Sequence, residues 1–340
     1  MERTDRQTQQ KRRIPEMDVM KGILGLLVIM GHILYIEEVV SGVRPAGYAA
    51  ESLGVFAGVW AAPYYMPAFF FVTGYCSAFK SGITTQIIAD AKRLLLPAIL
   101  LPFIMSEVSS LLLGNGISWS FPRSAQWFLW SLFWAKIIFI ILKQYIKVEV
   151  VTWILLVIMS VAGSVMMYHM PEANYLAYQQ ALVFPIFLAL GHKMRGMDLN
   201  PKVSYIAIVV YAVLAITSYY ILRWGAPSLC AVTTFLPEKW PLFFLLATSG
   251  ILGIFQISKM LKGSKILQYI GQITLVLYLV HGTFLIVVST YMIPQITQNY
   301  NNSAFQSVFY VLMTLGALLW SCLWAELLKL PYLKWILGKW

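Results

Sequence analysis

Three ionisable side chains lie inside long apolar runs of the sequence, at similar distances from the start of each run. His32 and His281 are each 15 residues past the first residue of their run, and Glu107 is 13 residues past the first residue of its own. At about 1.5 Å per residue of helix, these positions share a depth of about 20–22 Å. Two imidazoles and a carboxylate in one layer predict a proton-handling site; the alternative is a coincidence of depth with ordinary structural hydrogen bonds.

The first apolar run also carries a charged pair at its beginning. Asp18 and Lys21 are three residues apart and share a helix face. Lys21 and His32 are eleven residues apart, which returns a helix to within about 20° and separates the two residues by about 16 Å along the axis. One helix face therefore presents a cation near a membrane surface and an imidazole deeper in. The alternative is that Lys21 extends to water and His32 bonds a neighbouring helix.

Lys136 lies ten residues past the start of another apolar run, where it either pairs with Glu107 or faces water. An ionisable group in such a run faces a cavity or a partner, because an isolated charge in hydrocarbon is costly. His169 and His192 stand at the ends of runs or in loops, and we assign no role to either.

The composition of the chain decides which class of protein positions these residues. Of the 340 residues, 59% are hydrophobic and only 11% are charged, and the mean hydropathy is +0.72. A soluble domain carries about 25% charged residues. This difference excludes a soluble enzyme, a disordered tail protein and a nucleic-acid-binding domain. Because the apolar runs are continuous rather than alternating, they predict an all-α polytopic membrane helix bundle and not a β-barrel.

Ten apolar segments are long enough to cross the hydrocarbon core, for which a helix needs about 20 residues. They cover residues 17–39, 55–79, 94–113, 126–145, 150–167, 176–192, 203–222, 240–257, 266–290 and 305–328. If each segment crosses the membrane in turn, 20 of the 25 Lys and Arg residues lie on the same side as the N-terminus. Four lie on the opposite side, Arg44, Arg123, Arg223 and Lys239, and Lys136 lies within a span. Since basic residues favour the cytoplasmic side, both termini are predicted to be cytoplasmic. The formal charge of +11 is then a topology signal.

The segments outside the spans are short, so the chemistry is expected within the bundle or at its two mouths. We divide the chain into a cytoplasmic basic tail at 1–16, a ten-helix transmembrane domain at 17–328 and a cytoplasmic C-terminal tail at 329–340. A polybasic lipid-binding role for residues 3–13 is an alternative. The three cysteines, Cys76, Cys230 and Cys322, are far apart and show no paired spacing. We therefore predict no disulfide framework, no metal-ligand pattern and no bound metal.

Five sequence elements resemble, in order, those of the membrane acyltransferase-3 family. Met17–His32 is similar to the family's opening, in which an acidic residue and a basic residue with Gly precede an apolar run that ends in Gly-His. Tyr65–Tyr75 is similar to its Met-Pro-Leu-Phe-Phe element, and Lys92–Pro97 to its basic cytoplasmic element. Gln126–Leu129 resembles its Trp-Phe-Leu, and Ile270–His281 its ninth-span signature. The small stand-alone branch is the most similar, with fucose-4-O-acetylase-like proteins and surface-polysaccharide acetyltransferases.

The chain departs from the family pattern at three positions. Lys21 stands where many members have Arg, and Asp90 stands at the first position of their Arg-x-x-Arg element. Tyr65 replaces the His that precedes Met-Pro in many small members. Some members carry a fused extracytoplasmic hydrolase-like domain, and we expect none in these 340 residues.

The resemblance implies a multi-pass acyltransferase of the inner (plasma) membrane. It would take an acetyl group from cytoplasmic acetyl-CoA and deliver it to a sugar hydroxyl of a surface or lipid-linked glycan. His32 stands at the family's catalytic histidine position and is the expected general base, with His281 and Glu107 as further catalytic residues. The implied partners are a glycan or glycolipid acceptor, acyl-CoA and the lipid bilayer, with no nucleic acid; a homo-oligomer stays open.

The basic residues at the cytoplasmic mouth, Lys21, Lys92 and Arg93, are the expected ligands of the CoA phosphates. Asp18, Trp127 and Lys136 are assigned to substrate binding. Two other classes of function stay open: a glycan transporter or flippase, and a non-catalytic subunit of a glycan-assembly complex.

Overall fold

The computed structural model describes residues 13–41, 60–77, 79, 82–117, 127–170, 175–197, 200–217, 239–299 and 303–338. Regular structure in these ranges is helical and contains no strand, which confirms the all-α prediction. Residues 1–12 of the predicted basic tail, Cys230 and the predicted outer cations Arg44, Arg123 and Arg223 lie outside the described residues.

The helices follow the apolar runs of the sequence. They are α1 Pro15–Ser41, α2 Ala62–Cys76, α3 Ile83–Asp90, α4 Leu96–Leu112, α5 Trp127–Tyr145, α6 Glu149–His169, α7 Tyr178–Val183, α8 Pro185–Met194, α9 Pro201–Ile216, α10 Trp240–Met260, α11 Lys265–Gln272, α12 Thr274–Gln298 and α13 Ser303–Leu327. A π-helical turn at Ala91–Leu95 joins α3 to α4, and 3-10 turns occupy Tyr175–Ala177 and Lys334–Leu337.

Six helical stretches in the described part of the chain are long and apolar enough to cross a membrane. They are Ile83–Leu112, Trp127–Tyr145, Glu149–His169, Trp240–Met260, Thr274–Met292 and Ala304–Leu327. The other four predicted spans coincide with α1, α2, the α7–α8 pair and α9. α1 carries acidic residues in its first turn, and the others are short. The multi-pass bundle is supported, whereas ten crossings and cytoplasmic termini stay predictions.

α1 is a central helix of the bundle and packs against α2, α10, α11 and α12. Beside it, a group of fully buried phenylalanines fills the space between α2, the α7–α8 joint and α10: Phe70, Phe71, Phe184, Phe187, Phe243 and Phe255. Phe70 and Phe184 stack with ring centroids 4.7 Å apart. Since lipid tails are as apolar as these rings, close packing rather than burial from water holds the helices together.

Two glycines set how closely α1 approaches α11. A Cβ on Gly22 would overlap the backbone carbonyl of Leu267, and a Cβ on Gly271 would overlap that of Asp18. Small residues at such a crossing let two backbones come together. The crossing therefore fixes the first turns of α1, which carry Asp18 and Lys21, against the start of the predicted ninth span.

The predicted span 266–290 is one segment in sequence, but the structure divides it into α11 and α12 at Ile273. Ile273 has φ −95° and ψ 4°, which ends α11. The hydroxyl of Thr274 donates a hydrogen bond to the carbonyl oxygen of Gly271 at 2.8 Å and satisfies a backbone group at the break. α12 then continues to Gln298, beyond the predicted end of the span.

The described part of the predicted C-terminal tail folds back on the bundle. The 3-10 turn at Lys334–Leu337 packs against α4, with Ile336 and Leu337 buried. Gly338 has φ +65°, and a Cβ there would overlap the carbonyl oxygen of Lys92. This segment therefore lies directly against the π-helical turn.

Candidate functional site

Two histidines from helices that pack together form the centre of the site. His32 on α1 and His281 on α12 lie edge to face, with ring centroids 5.0 Å apart and an interplanar angle of 73°. His281 is only 4% exposed, and His32 is half-buried. The structure therefore brings together the two imidazoles that the sequence places at one depth.

The hydrogen bonds of these imidazoles define their tautomers. Nδ1 of His32 lies 2.8 Å from the carbonyl oxygen of Val28, and Nδ1 of His281 lies 2.8 Å from that of Leu277. A carbonyl oxygen only accepts, so each Nδ1 carries the proton and donates it. Each neutral ring then keeps the lone pair of Nε2. In the described residues no hydrogen-bond partner reaches the buried Nε2 of His281, so this atom is available to a ligand.

Glu107, the third member of the predicted layer, lies half-buried on α4. α4 packs against α12, where the hydroxyl of Thr283 is 3.5 Å from the carbonyl oxygen of Met105. Among the described residues, the hydrogen-bond and ring partners of the two imidazoles do not include Glu107. Glu107 therefore belongs to a neighbouring helix at the site, and its catalytic role stays a prediction.

A chain of aromatic rings runs from the start of α5 to His281. Trp127 is half-buried and its ring lies 6.0 Å from that of Phe128. Phe128 contacts Tyr278 at 5.3 Å, and Tyr278 lies 6.5 Å from His281. Tyr278 was missed as a candidate site residue, although its position three residues before His281 puts both on one helix face.

Asp18 and Lys21 form an ion pair of 2.7 Å in the first turns of α1. The Asp18 side chain is 11% exposed and that of Lys21 is 29% exposed, so the cation reaches solvent while its partner is held against α11. Lys92 and Arg93 are exposed on the π-helical turn. Lys21 is thus paired with a carboxylate of its own helix. Lys92 and Arg93 lie on a different element of the bundle.

The structure gives Lys136 a partner that the sequence did not predict. Its ammonium forms an ion pair with Asp90, and the two side chains are only 12% and 9% exposed. Asp90 ends α3 and directly precedes the π-helical turn that carries Lys92 and Arg93. A π turn inside a helix frequently marks a functional site. The ion pair ties this turn to α5, and substrate binding by Lys136 stays a prediction.

In the described part of the chain, no group of three or more His, Cys, Asp or Glu side chains could hold a metal ion. The arrangement instead offers two neutral imidazoles for proton transfer, an aromatic surface beside them, and basic side chains at the starts of α1 and α4.

Comparison with known families agrees with this chemistry. A sequence model of a family described as an acyltransferase domain, acyltransferase-3, matches residues 14–325, which is almost the whole chain. No curated protein and no solved structure matches the chain significantly.

Proposed function

The chain belongs to the membrane acyltransferase-3 family, and from that premise we propose that it is an O-acyltransferase of the inner membrane. It moves an acetyl group from cytoplasmic acetyl-CoA to a hydroxyl of a surface or lipid-linked glycan. The observation that supports this proposal is the contact between His32 and His281, with Nδ1 of each ring bound to its own helix. Acyl transfer to an alcohol needs a neutral base at the hydroxyl, and Nε2 of His32 is such a base.

The reaction joins the sugar oxygen to the acetyl carbon and breaks the bond between that carbon and the CoA sulfur. Nε2 of His32 takes the hydroxyl proton, and the departing sulfur receives a proton, so that free CoA leaves as the thiol. General-base catalysis of this kind typically contributes about 10²–10⁴-fold in rate. His281 orients the acceptor hydroxyl or relays the proton, since its Nε2 faces no donor in the described residues.

The donor and the acceptor approach from different parts of the bundle. Lys92 and Arg93, which are exposed on the π-helical turn, bind the CoA phosphates together with Lys21. On the acceptor side, Trp127 provides an apolar face for a sugar ring, next to the aromatic chain that ends at His281. Asp18 and Lys136 are the other two substrate-binding residues of this proposal. Asp18 is paired with Lys21, and Lys136 is paired with Asp90.

The direct test is acetyl transfer by the purified protein in nonionic detergent. Radiolabelled acetyl-CoA is supplied with a lipid-linked glycan extract, and labelled ester is counted per folded molecule. His32→Gln should lower the rate by about 10²–10⁴-fold without changing the melting temperature. His169→Gln is the matched control, because His169 is exposed at the end of α6 and should retain the activity.

A second measurement examines the acceptor in cells. We expect O-acetyl groups of the surface glycan, measured by mass spectrometry, to disappear when the gene is deleted and to return with the wild-type chain but not with His32→Gln. Unchanged acetylation with impaired glycan export would contradict the proposal and favour a transporter. Normal specific activity of folded His32→Gln would remove the assigned base.

A further inference from the structure

A cleft of about 320 Å³ lies where α5 ends, α6 begins and α8 ends. Small-molecule sites typically have volumes of about 300–1,000 Å³, so the cleft is large enough for part of a ligand. Four basic side chains, from Lys143, Lys147, His192 and Lys193, line it together with a single carboxylate. These residues are separate from His32 and His281 and from the predicted CoA ligands, which are Lys21, Lys92 and Arg93.

The charges of the cleft are only partly balanced. Lys193 forms an ion pair of 2.6 Å with the carboxylate of Glu149, so these two charges offset each other. The ammonium of Lys143 donates to Nε2 of His192 at 2.7 Å, and the ammonium of Lys147 donates to a backbone carbonyl at 2.7 Å. Both acceptors are neutral. Among the described residues no carboxylate pairs with Lys143 or Lys147, which leaves two exposed cations beside the cleft.

The walls of the cleft include two aromatic rings. The indole of Trp153 donates from Nε1 to Glu149 at 3.3 Å, which orients the ring. The Phe139 ring lies 5.6 Å from that of His192. Cations and aromatic rings that line one cleft suit an anion that is attached to an apolar or planar group.

The cleft lies at the same end of the bundle as the predicted donor residues. Lys143 follows Lys136 by seven residues on α5, which is two helical turns or about 10 Å. Lys136 in turn is bound to Asp90, next to the exposed Lys92 and Arg93. The cleft therefore lies about two turns along α5 from the residue that binds the π-helical turn, and its basic residues are on the side that the charge distribution of the sequence predicts to be cytoplasmic.

We propose that this cleft is a second ligand site, which binds a phosphate ester between Lys143 and Lys147 with Trp153 beside the esterified group. Charge-assisted bonds from two ammonium groups match the oxygens of a phosphate. Two sources carry this group at a membrane surface: a soluble nucleotide and the headgroup of an anionic phospholipid. The site does not depend on the acyltransferase chemistry, since its residues are separate from His32 and His281.

The test compares two probes on the purified full-length protein in nonionic detergent. Binding of adenosine 3′,5′-bisphosphate is measured by calorimetry with Arg93→Glu present in every chain, so that the proposed CoA contact does not contribute. Binding of phosphatidylglycerol relative to phosphatidylcholine is measured by native mass spectrometry. The double variant Lys143→Gln/Lys147→Gln should weaken one of these interactions by about tenfold or more. Lys262→Gln/Lys265→Gln removes two exposed charges elsewhere and should leave binding unchanged.

Loss of bisphosphate binding in the cleft variant assigns the site to a soluble phosphate, and loss of phosphatidylglycerol binding assigns it to a lipid. Failure of the wild-type protein to bind either probe, or equal losses in the two double variants, would overturn the proposal. A second experiment uses the wild-type chain alone. Acetylation of lysines by a succinimidyl ester, mapped by peptide mass spectrometry, should be slowed at Lys143 and Lys147 by the bound probe but not at Lys262; unchanged labelling would equally contradict the site.

Discussion

The imidazoles of His32 and His281 meet edge to face at 5.0 Å, and each donates its Nδ1 proton to a carbonyl of its own helix. This relationship has a chemical consequence: both rings are held in the tautomer that leaves Nε2 as an acceptor. Neither ring uses the other as its hydrogen-bond partner. The two bases are therefore free to address one ligand from α1 and from α12.

Replacement of His281 should impair acyl transfer less than replacement of His32. His281→Gln retains a polar side chain but removes the second acceptor, so we expect a loss smaller than the 10²–10⁴-fold typical of a missing general base. The measurement is kcat per folded molecule for His281→Gln and His32→Gln side by side. A larger loss for His281→Gln would exchange the two assigned roles.

Charge reversal at Arg93 should act on the donor. Arg93 is exposed on the π-helical turn, so Arg93→Glu should fold normally but lose a charge-assisted contact worth about 1.5–3 kcal/mol. We expect the KM for acetyl-CoA to rise much more than the KM for the acceptor. Lys262→Glu, which reverses an exposed charge in the turn after α10, is the control. Equal donor kinetics in the two variants would show that Arg93 does not bind CoA.

The sequence predicts the local parts of this structure and misses the long-range pairings. Apolar runs are a property of each segment, so the helices and the common depth of His32 and His281 follow from counting residues. The ion pair between Lys136 and Asp90 joins positions 46 residues apart. Nothing in either segment specifies this pairing, which depends on how α3 packs against α5. For the same reason His192 was assigned no role, although the helix ends around it form a cleft.

The break at Ile273 was missed for a different reason. Residues 266–290 are apolar almost throughout, and hydropathy does not report a break between two helices. The signal was present in Gly271 and Thr274, which stand on either side of the break. A glycine that allows close backbone approach and a hydroxyl that bonds a free carbonyl are both typical of a helix end.

Removing one member of the Asp90–Lys136 pair should destabilise the protein strongly. The two side chains are 9% and 12% exposed, and breaking a buried pair typically costs about 3–5 kcal/mol because one charge is left unpaired. Asp90→Asn and Lys136→Met should each lower the melting temperature in detergent, and the double variant should recover much of the loss.

An exposed ion pair provides the matched control. Glu326 and Lys329 are 55% and 57% exposed, so Glu326→Gln should lower the melting temperature much less than Asp90→Asn does, because solvent screens an exposed pair. If Asp90→Asn is as mild as Glu326→Gln, or if the effects of Asp90→Asn and Lys136→Met simply add, the buried pair does not hold the π-helical turn against α5.

Reporter fusions should show that the chain crosses the membrane an even number of times, with both termini on the cytoplasmic side. With ten, a reporter fused at residue 340 is on the cytoplasmic side, as is one fused within residues 1–12. A fusion in the turn between α10 and α11, near Lys262, should also be cytoplasmic, because the basic residues there follow the positive-inside rule. Activity of a periplasm-specific reporter at residue 340 would contradict the predicted topology.

Substitution of two glycines by alanine should separate the helix crossing from general helix propensity. A Cβ on Gly271 would overlap the carbonyl oxygen of Asp18, whereas a Cβ on Gly282, in α12, meets nothing within 4 Å. Gly271→Ala should therefore push α1 away from α11 and destabilise the protein by about 1–3 kcal/mol, as overpacking typically does. Gly282→Ala should be neutral or stabilising by about 0.5–1 kcal/mol, because alanine favours the helix. Melting temperatures of both variants in the same detergent check this difference. Equal melting temperatures would mean that α1 and α11 cross with more space than the structure shows, and that the first turns of α1 are not fixed by this contact.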